Sequence, residues 1–154
     1  MELDPSQRGP VEAFLGFRLL RRGDGTAEVA LPPRAEFLQG FAVVQGGLIS
    51  ALADTACVWA LLPDLLPTRG MTSVEFKVNF LAPAKHPGDE LVARAHVVRR
   101  GARVAVCSAD VLQGAKHVAT GLFTYLIFDI AGTATGVDQS GGTARDCDAR
   151  RATE

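Results

Sequence analysis

Apolar and polar positions along the chain follow two different periods. Phe17 to Arg22 and Thr26 to Leu31 look like two short strands. Gly23-Asp24-Gly25 lies between them as a turn signal, so the pair reads as a hairpin, and Pro32-Pro33 ends it. Val11 to Leu15 has the spacing of one or two helical turns. The stretch from Gly46 to Leu62 behaves otherwise. It is rich in alanine and leucine, apolar on nearly every face, and closed by Pro63. A strand of that length is unusual, so the spacing predicts a helix, and a helix apolar all round is predicted to be buried. Four further strands are predicted at Thr72–Phe80, Glu90–Val98, Arg103–Leu112 and His117–Ile127. In the first of these, Val74, Phe76, Val78 and Phe80 are predicted to share one half-buried face. The breaks at Arg100-Gly101 and Gln113-Gly114 are short, which makes neighbouring strands antiparallel. The expected architecture is α+β: an antiparallel sheet of five to six strands curled around one central helix.

From Ala131 onward the large apolar residues nearly vanish. Residues 1–10 are expected to be a loose lead-in, 11–130 a single domain and 131–154 a flexible tail. A length of 154 residues suits one domain. Apolar residues form 47% and charged residues 21% of the chain, which excludes wholesale disorder. The formal net charge of −1 supplies no bulk attraction for nucleic acid. Cys57, Cys107 and Cys147 form neither a CxxC pair nor a disulfide framework, so a reducing, cytoplasmic setting is expected. Met1 to Pro5 carries no basic or apolar signal region. The longest uninterrupted apolar run, Ala56 to Leu62, is far short of a membrane span, so no membrane partner is expected.

Nucleotide-binding loops, the GxSxG elbow and HExxH are absent, and His86, His96 and His117 lack metal-ligand spacing. No metal or cofactor is expected. Three features carry chemistry. Asp54 interrupts an apolar helix, where a carboxylate is costly unless partnered and, once out of water, a stronger base. A hydrogen bond to a neighbouring strand would account for it equally well. Gln45-Gly46-Gly47 opens the same helix, where free N–H groups favour an oxyanion and glycine admits close approach. The same glycines would also serve tight packing. Gln39, in the loop before the helix, offers an amide for a carbonyl or water, or is simply solvated.

The segment Gln45-Gly46-Gly47-Leu48-Ile49-Ser50-Ala51-Leu52-Ala53-Asp54 resembles the HGG-x(6)-D segment of hotdog-fold acyl-CoA thioesterases of the phenylacetate-pathway, PaaI-like, family. Ser73-Val74-Glu75-Phe76-Lys77-Val78-Asn79-Phe80-Leu81-Ala82-Pro83-Ala84 resembles that family's T-x-E-x-K-x-N-F-x-x-P-A strand. The resemblance implies a hotdog fold and hydrolysis of acyl-CoA thioesters without a cofactor. It implies that Asp54 activates water or attacks the thioester carbon, that the Gly46 N–H holds the carbonyl oxygen, and that Gln39 positions water. It places the strand hydroxyl on Ser73, or on Thr72 if the register slips by one. Gly47, Thr72 and Val58 become candidates for substrate contact. Coenzyme A phosphates need positive charge, and Arg99, Arg100 and Arg103 cluster at a strand turn, although a solvated surface explains them too. One position departs from the pattern. The family's histidine before Gly-Gly is Gln45, which hydrogen-bonds but cannot shuttle a proton near neutral pH. The departure leaves room for an acyl-CoA-binding protein without turnover. A hotdog hydratase or dehydratase is less favoured, because no histidine lies near Asp54.

Spacing adds one constraint. Eight positions separate Gly46 from Asp54, about 12 Å along a helix axis. A base and an oxyanion donor must both reach one carbonyl group. Two antiparallel helices from two subunits can do so, and the resemblance implies a homodimer, often paired into tetramers.

Overall fold

The computed structural model describes residues 9–130. The expected tail at 131–154, Cys147 and all but the end of the lead-in lie outside the described residues. A short helix α1 (Pro10–Leu15) precedes β1 (Arg18–Gly23) and β2 (Thr26–Leu31). Asp24 and Gly25 between these strands both have positive φ, 50° and 69°, as a two-residue type I′ hairpin requires. Helix α2 (Gly46–Leu61) follows, and then β3 (Arg69–Phe80), β4 (Leu91–Arg100), β5 (Val104–Gln113) and β6 (Lys116–Asp129). The six strands form one sheet in the order β1-β2-β4-β5-β6-β3, every pair antiparallel.

Helix and sheet meet through small side chains. Ala93 and Ala95 on β4 and Ala105 and Ala109 on β5 face Ala53, Ala56 and Ala60 of α2, all buried. Small residues on both sides let the backbones approach at interior packing density, and Leu52, Leu61, Phe123 and Ile127 fill the remaining space. Burying each such large side chain stabilises the fold by about 1.5–3 kcal/mol.

Three expectations are corrected. The helix is not enclosed: it lies over β2, β4 and β5 and barely reaches β6. The stripe Leu48, Ala51, Thr55, Val58 and Leu62 therefore stays half-buried along an open flank. Second, Gly46–Asp64 spans 19 residues at a mean hydropathy of 1.4, long and apolar enough by those measures to cross a membrane, although the apolar run alone is too short. Here its apolar residues are those of a core helix resting on a sheet. Third, Val74 does not share a face with Phe76. A bulge between Ser73 and Glu75 inserts an extra residue, so Ser73 lies beside Tyr125 while Phe76 lies beside Phe123. Nor is that face half-buried throughout. Val74, Phe76 and Phe80 are 62%, 54% and 55% exposed, because β3 is the sheet edge that α2 does not cover.

Candidate active site

Asp54 sits on the open flank of α2, half-buried and turned toward the β6–β3 edge. The Tyr125 hydroxyl donates to its Oδ1 at 2.6 Å and also lies 3.3 Å from its backbone carbonyl oxygen. Ser73 Oγ donates from 3.2 Å to Oδ1 and lies 3.4 Å from Oδ2. The two hydroxyls are neighbours because Ser73 and Tyr125 are register partners across β3 and β6. Ser73, not Thr72, thus meets the acid. Burial pushes the Tyr125 phenol well above its usual range, with the nearby Cys57 and the bond to Asp54 adding to the shift. Burial likewise pushes the Cys57 thiol up, assisted by its contact with Cys107. A largely apolar cavity of about 290 Å³ opens beside these groups, lined by Val58, Met71, Thr72, Ser73, Tyr125 and Phe128 among others.

The start of α2 builds a second half-site. Gln45 is the N-cap, and its Oε1 accepts from the Leu48 N–H at 3.0 Å. The Gly46 and Gly47 N–H groups have no acceptor among the described residues, as expected of a first helical turn. A Cβ on Gly46 would stand 2.9 Å from the Phe80 ring, and one on Gly47 would stand 2.7 Å from Gln45 Oε1. A side chain at either position would have to displace the flexible ends of Phe80 or Gln45 that fold over the helix start. Gln39 belongs to a tight loop closed by Gln39 N to Val43 O and Ala42 N to Gln39 O, each 2.9 Å. It borders a cavity of about 410 Å³ with Gly46, Ile49, Phe80 and Pro83.

The chain therefore gathers Ser73, Thr72 and Val58 around one cavity, with Asp54 behind Ser73 and Tyr125, and Gln39 and Gly46 around another. It does not bring the two groups together. Arg99 and Arg103 are exposed near the β4–β5 turn and border neither cavity, while Arg100 Nε pairs with Asp64 Oδ2 at 3.7 Å. Among the described residues no three His, Cys, Asp or Glu side chains converge as metal ligands. Sequence reasoning missed Tyr125. Its signal was present, since a tyrosine in the inward row Phe123, Tyr125, Ile127 must find a partner for its hydroxyl.

A family model described as the thioesterase superfamily matches residues 41–120, from the Gln39 loop through the helix to β6. The chain belongs to the thioesterase superfamily. It is 32% identical over 125 residues to acyl-coenzyme A thioesterase PaaI of Escherichia coli (strain K12), covering 79% of this chain and 84% of that protein. Human acyl-coenzyme A thioesterase 13 is 32% identical over 116 residues, 73% of this chain and 81% of its own. Among solved structures, a thioesterase family protein from Silicibacter pomeroyi superposes with a TM-score of 0.72 at 30% identity, covering 79% of this chain and 90% of that one. The E. coli PaaI protein from the phenylacetic acid degradation operon superposes with a TM-score of 0.73 at 25% identity, covering 82% and 88%. The enzyme is a hotdog-fold thioester hydrolase.

Proposed function

We propose that the enzyme hydrolyses acyl-coenzyme A thioesters with small aromatic or short- to medium-chain acyl groups, at sites that two copies of the chain build together. The observation carrying this reading is the division of chemistry within one chain: a carboxylate with hydroxyl donors beside one cavity, free helix N–H groups beside another. The relatives named for acyl-coenzyme A hydrolysis support the substrate class. The apolar lining of the smaller cavity suits an acyl group.

In this mechanism Asp54 either draws a proton from water attacking the thioester carbon or attacks it directly. Charge then gathers on the carbonyl oxygen, and the Gly46 N–H of the other protomer, reinforced by the helix dipole, holds it. The coenzyme A thiolate leaves and takes up the proton that Asp54 drew from water; after direct attack, water instead cleaves the mixed anhydride between the acyl group and Asp54 and supplies the proton. Gln39 helps position water, Ser73 steadies the acid, and Gln45 shapes the helix start without moving a proton. A thioester carbon is electrophilic enough for aligned water, a base and an oxyanion donor to suffice. Arg99 and Arg103, exposed away from both cavities, are the proposed contacts for the coenzyme A phosphates, which reach beyond the acyl group.

The β3 edge favours the assembly. Its outer backbone groups have no strand partner among the described residues, and Phe76 and Phe80 stand exposed. A two-fold axis perpendicular to the sheet at the β3 edge would pair two β3 strands antiparallel and set the open flanks of two α2 helices on one face, antiparallel to each other. Exposed Val104 and Leu122 on the outer sheet face offer surface for pairing dimers.

Mixed dimers test the reading. Gly46 is the first helical residue, where proline is tolerated, so Gly46→Pro deletes the N–H while Gly46→Ala adds its Cβ and keeps the donor. Gly46→Pro is expected to fall about 10²–10³-fold below Gly46→Ala in kcat. Mixing Gly46→Pro with Asp54→Asn chains should restore one site per heterodimer in a thiol-release assay. Heterodimers that form without regaining activity overturn the shared site. Tight acyl-CoA binding with no turnover by the parent protein overturns hydrolysis in favour of a binding role.

A further inference from the structure

Asp54 has two carboxylate oxygens, and its surroundings treat them unequally. Oδ1 accepts the 2.6 Å bond from Tyr125 and the 3.2 Å bond from Ser73, whereas Oδ2 has only the longer 3.4 Å contact with Ser73. We infer that Tyr125 is a positioning residue for the reaction, pinning Oδ1 so that Oδ2 is the oxygen that meets water or the thioester carbon. The inference rests on the proposed role of Asp54 and adds to it a residue and a choice of atom.

Three observations carry it. Tyr125 is 1% exposed, and its ring is held within the core row of β6. The same hydroxyl lies 3.3 Å from the Asp54 backbone oxygen, so it gauges the helix as well as the side chain. A bond of 2.6 Å to a carboxylate is a short, charge-assisted one, stronger than a bond between neutral groups. With Oδ1 doubly held, rotation about the Asp54 side chain would sacrifice the Tyr125 bond. The phenol, pushed up by burial, stays a donor throughout the neutral range. The titratable groups around the acid are Tyr125 from β6, Cys57 from its own helix and Cys107 from β5 behind Cys57, while β3 presents the neutral Ser73.

Tyr125 is the only tyrosine in the chain, so feeding a fluorinated tyrosine alters this hydroxyl alone. Acyl-CoA hydrolysis is to be measured against pH for the parent, Tyr125→Phe, Asp54→Asn and the 3-fluorotyrosine protein, with circular dichroism confirming the fold. Tyr125→Phe is expected to lose about 10- to 100-fold in kcat, the worth of one hydrogen bond to a charged group, with KM changed less than about threefold. Fluorotyrosine, a more acidic and stronger donor, should change kcat while leaving KM within about threefold. A folded Tyr125→Phe protein with parental kcat overturns the proposal. If Tyr125→Phe does not fold, a fluorotyrosine profile that superimposes on the parent's overturns it. Full activity in Asp54→Asn overturns the underlying reading of the acid, whereas an inactive Asp54→Asn beside a parental Tyr125→Phe overturns only the role of Tyr125.

Discussion

Tyr125 shows how a single side chain can be polar by composition and interior by position. Its ring packs in the core row of β6 while its hydroxyl meets a carboxylate, so ionising it would place two negative charges together out of water. The folded phenol is held above its ordinary range, mainly by burial. An unfolded tyrosine releases its proton near about pH 10. Above that pH the unfolded state binds fewer protons than the folded one, so stability is fully present below about pH 10 and falls as pH rises beyond it. Cys57, also pushed up by burial, adds to this loss from a somewhat lower pH. The expected outcome is an absence of tyrosinate absorbance near 295 nm in the folded protein at pH 10–11, with urea midpoints declining across the same range. Phenolate absorbance rising near pH 10 while circular dichroism stays native would contradict it. Asp54 itself was conspicuous in the sequence as an acid in an apolar helix. Its partners were less so: Ser73 came from the family resemblance, and Tyr125 emerged only once β6 was laid beside β3.

At the level of elements, strand periods, turn residues and the length of the apolar helix were legible, and the observed boundaries differ by a few residues at most. The bulge was not. Val74, Phe76, Val78 and Phe80 alternate cleanly, and nothing local announces that the pairing with β6 slips between Ser73 and Glu75. That slip lets Ser73 and Phe76 serve the same inner face. At the start of α2, Gln45 stands where shorter oxygen-bearing side chains usually cap, yet its Oε1 reaches the Leu48 N–H. Gln45→Ala should cost about 0.5–2 kcal/mol through loss of this cap, read as a lower urea midpoint with an unchanged slope. It should also weaken catalysis, since the cap sets the direction of the Gly46 N–H. Unchanged stability would show that the Leu48 contact with the Gln45 carbonyl oxygen, at 3.1 Å, caps the turn unaided.

For the whole molecule the decisive feature is the uncovered edge. A twelve-residue strand with exposed Val74, Phe76 and Phe80 and, among the described residues, no neighbour on one side is a hazard to a lone chain and an asset to a dimer. Phe76→Glu places a charge on that edge. The fold of the single chain should survive, because only the Phe76 stack on Phe123, 5.5 Å between ring centres, is lost. Light scattering should then give the monomer mass, and hydrolysis should fall with the dimer. A monomer that retains parental activity would refute a site shared between subunits.

Residue order alone determined the α+β class, the central helix and the three chemical features on and before it, because hydrophobic period, helix punctuation and a misplaced acid are local properties. Register, by contrast, is a contest between strands far apart in the chain. Only the folded sheet decided that Tyr125 and Ser73 meet Asp54, that Phe80 closes over Gly46, and that the hydroxyls bonded to the acid line one cavity while Gly46 lines another.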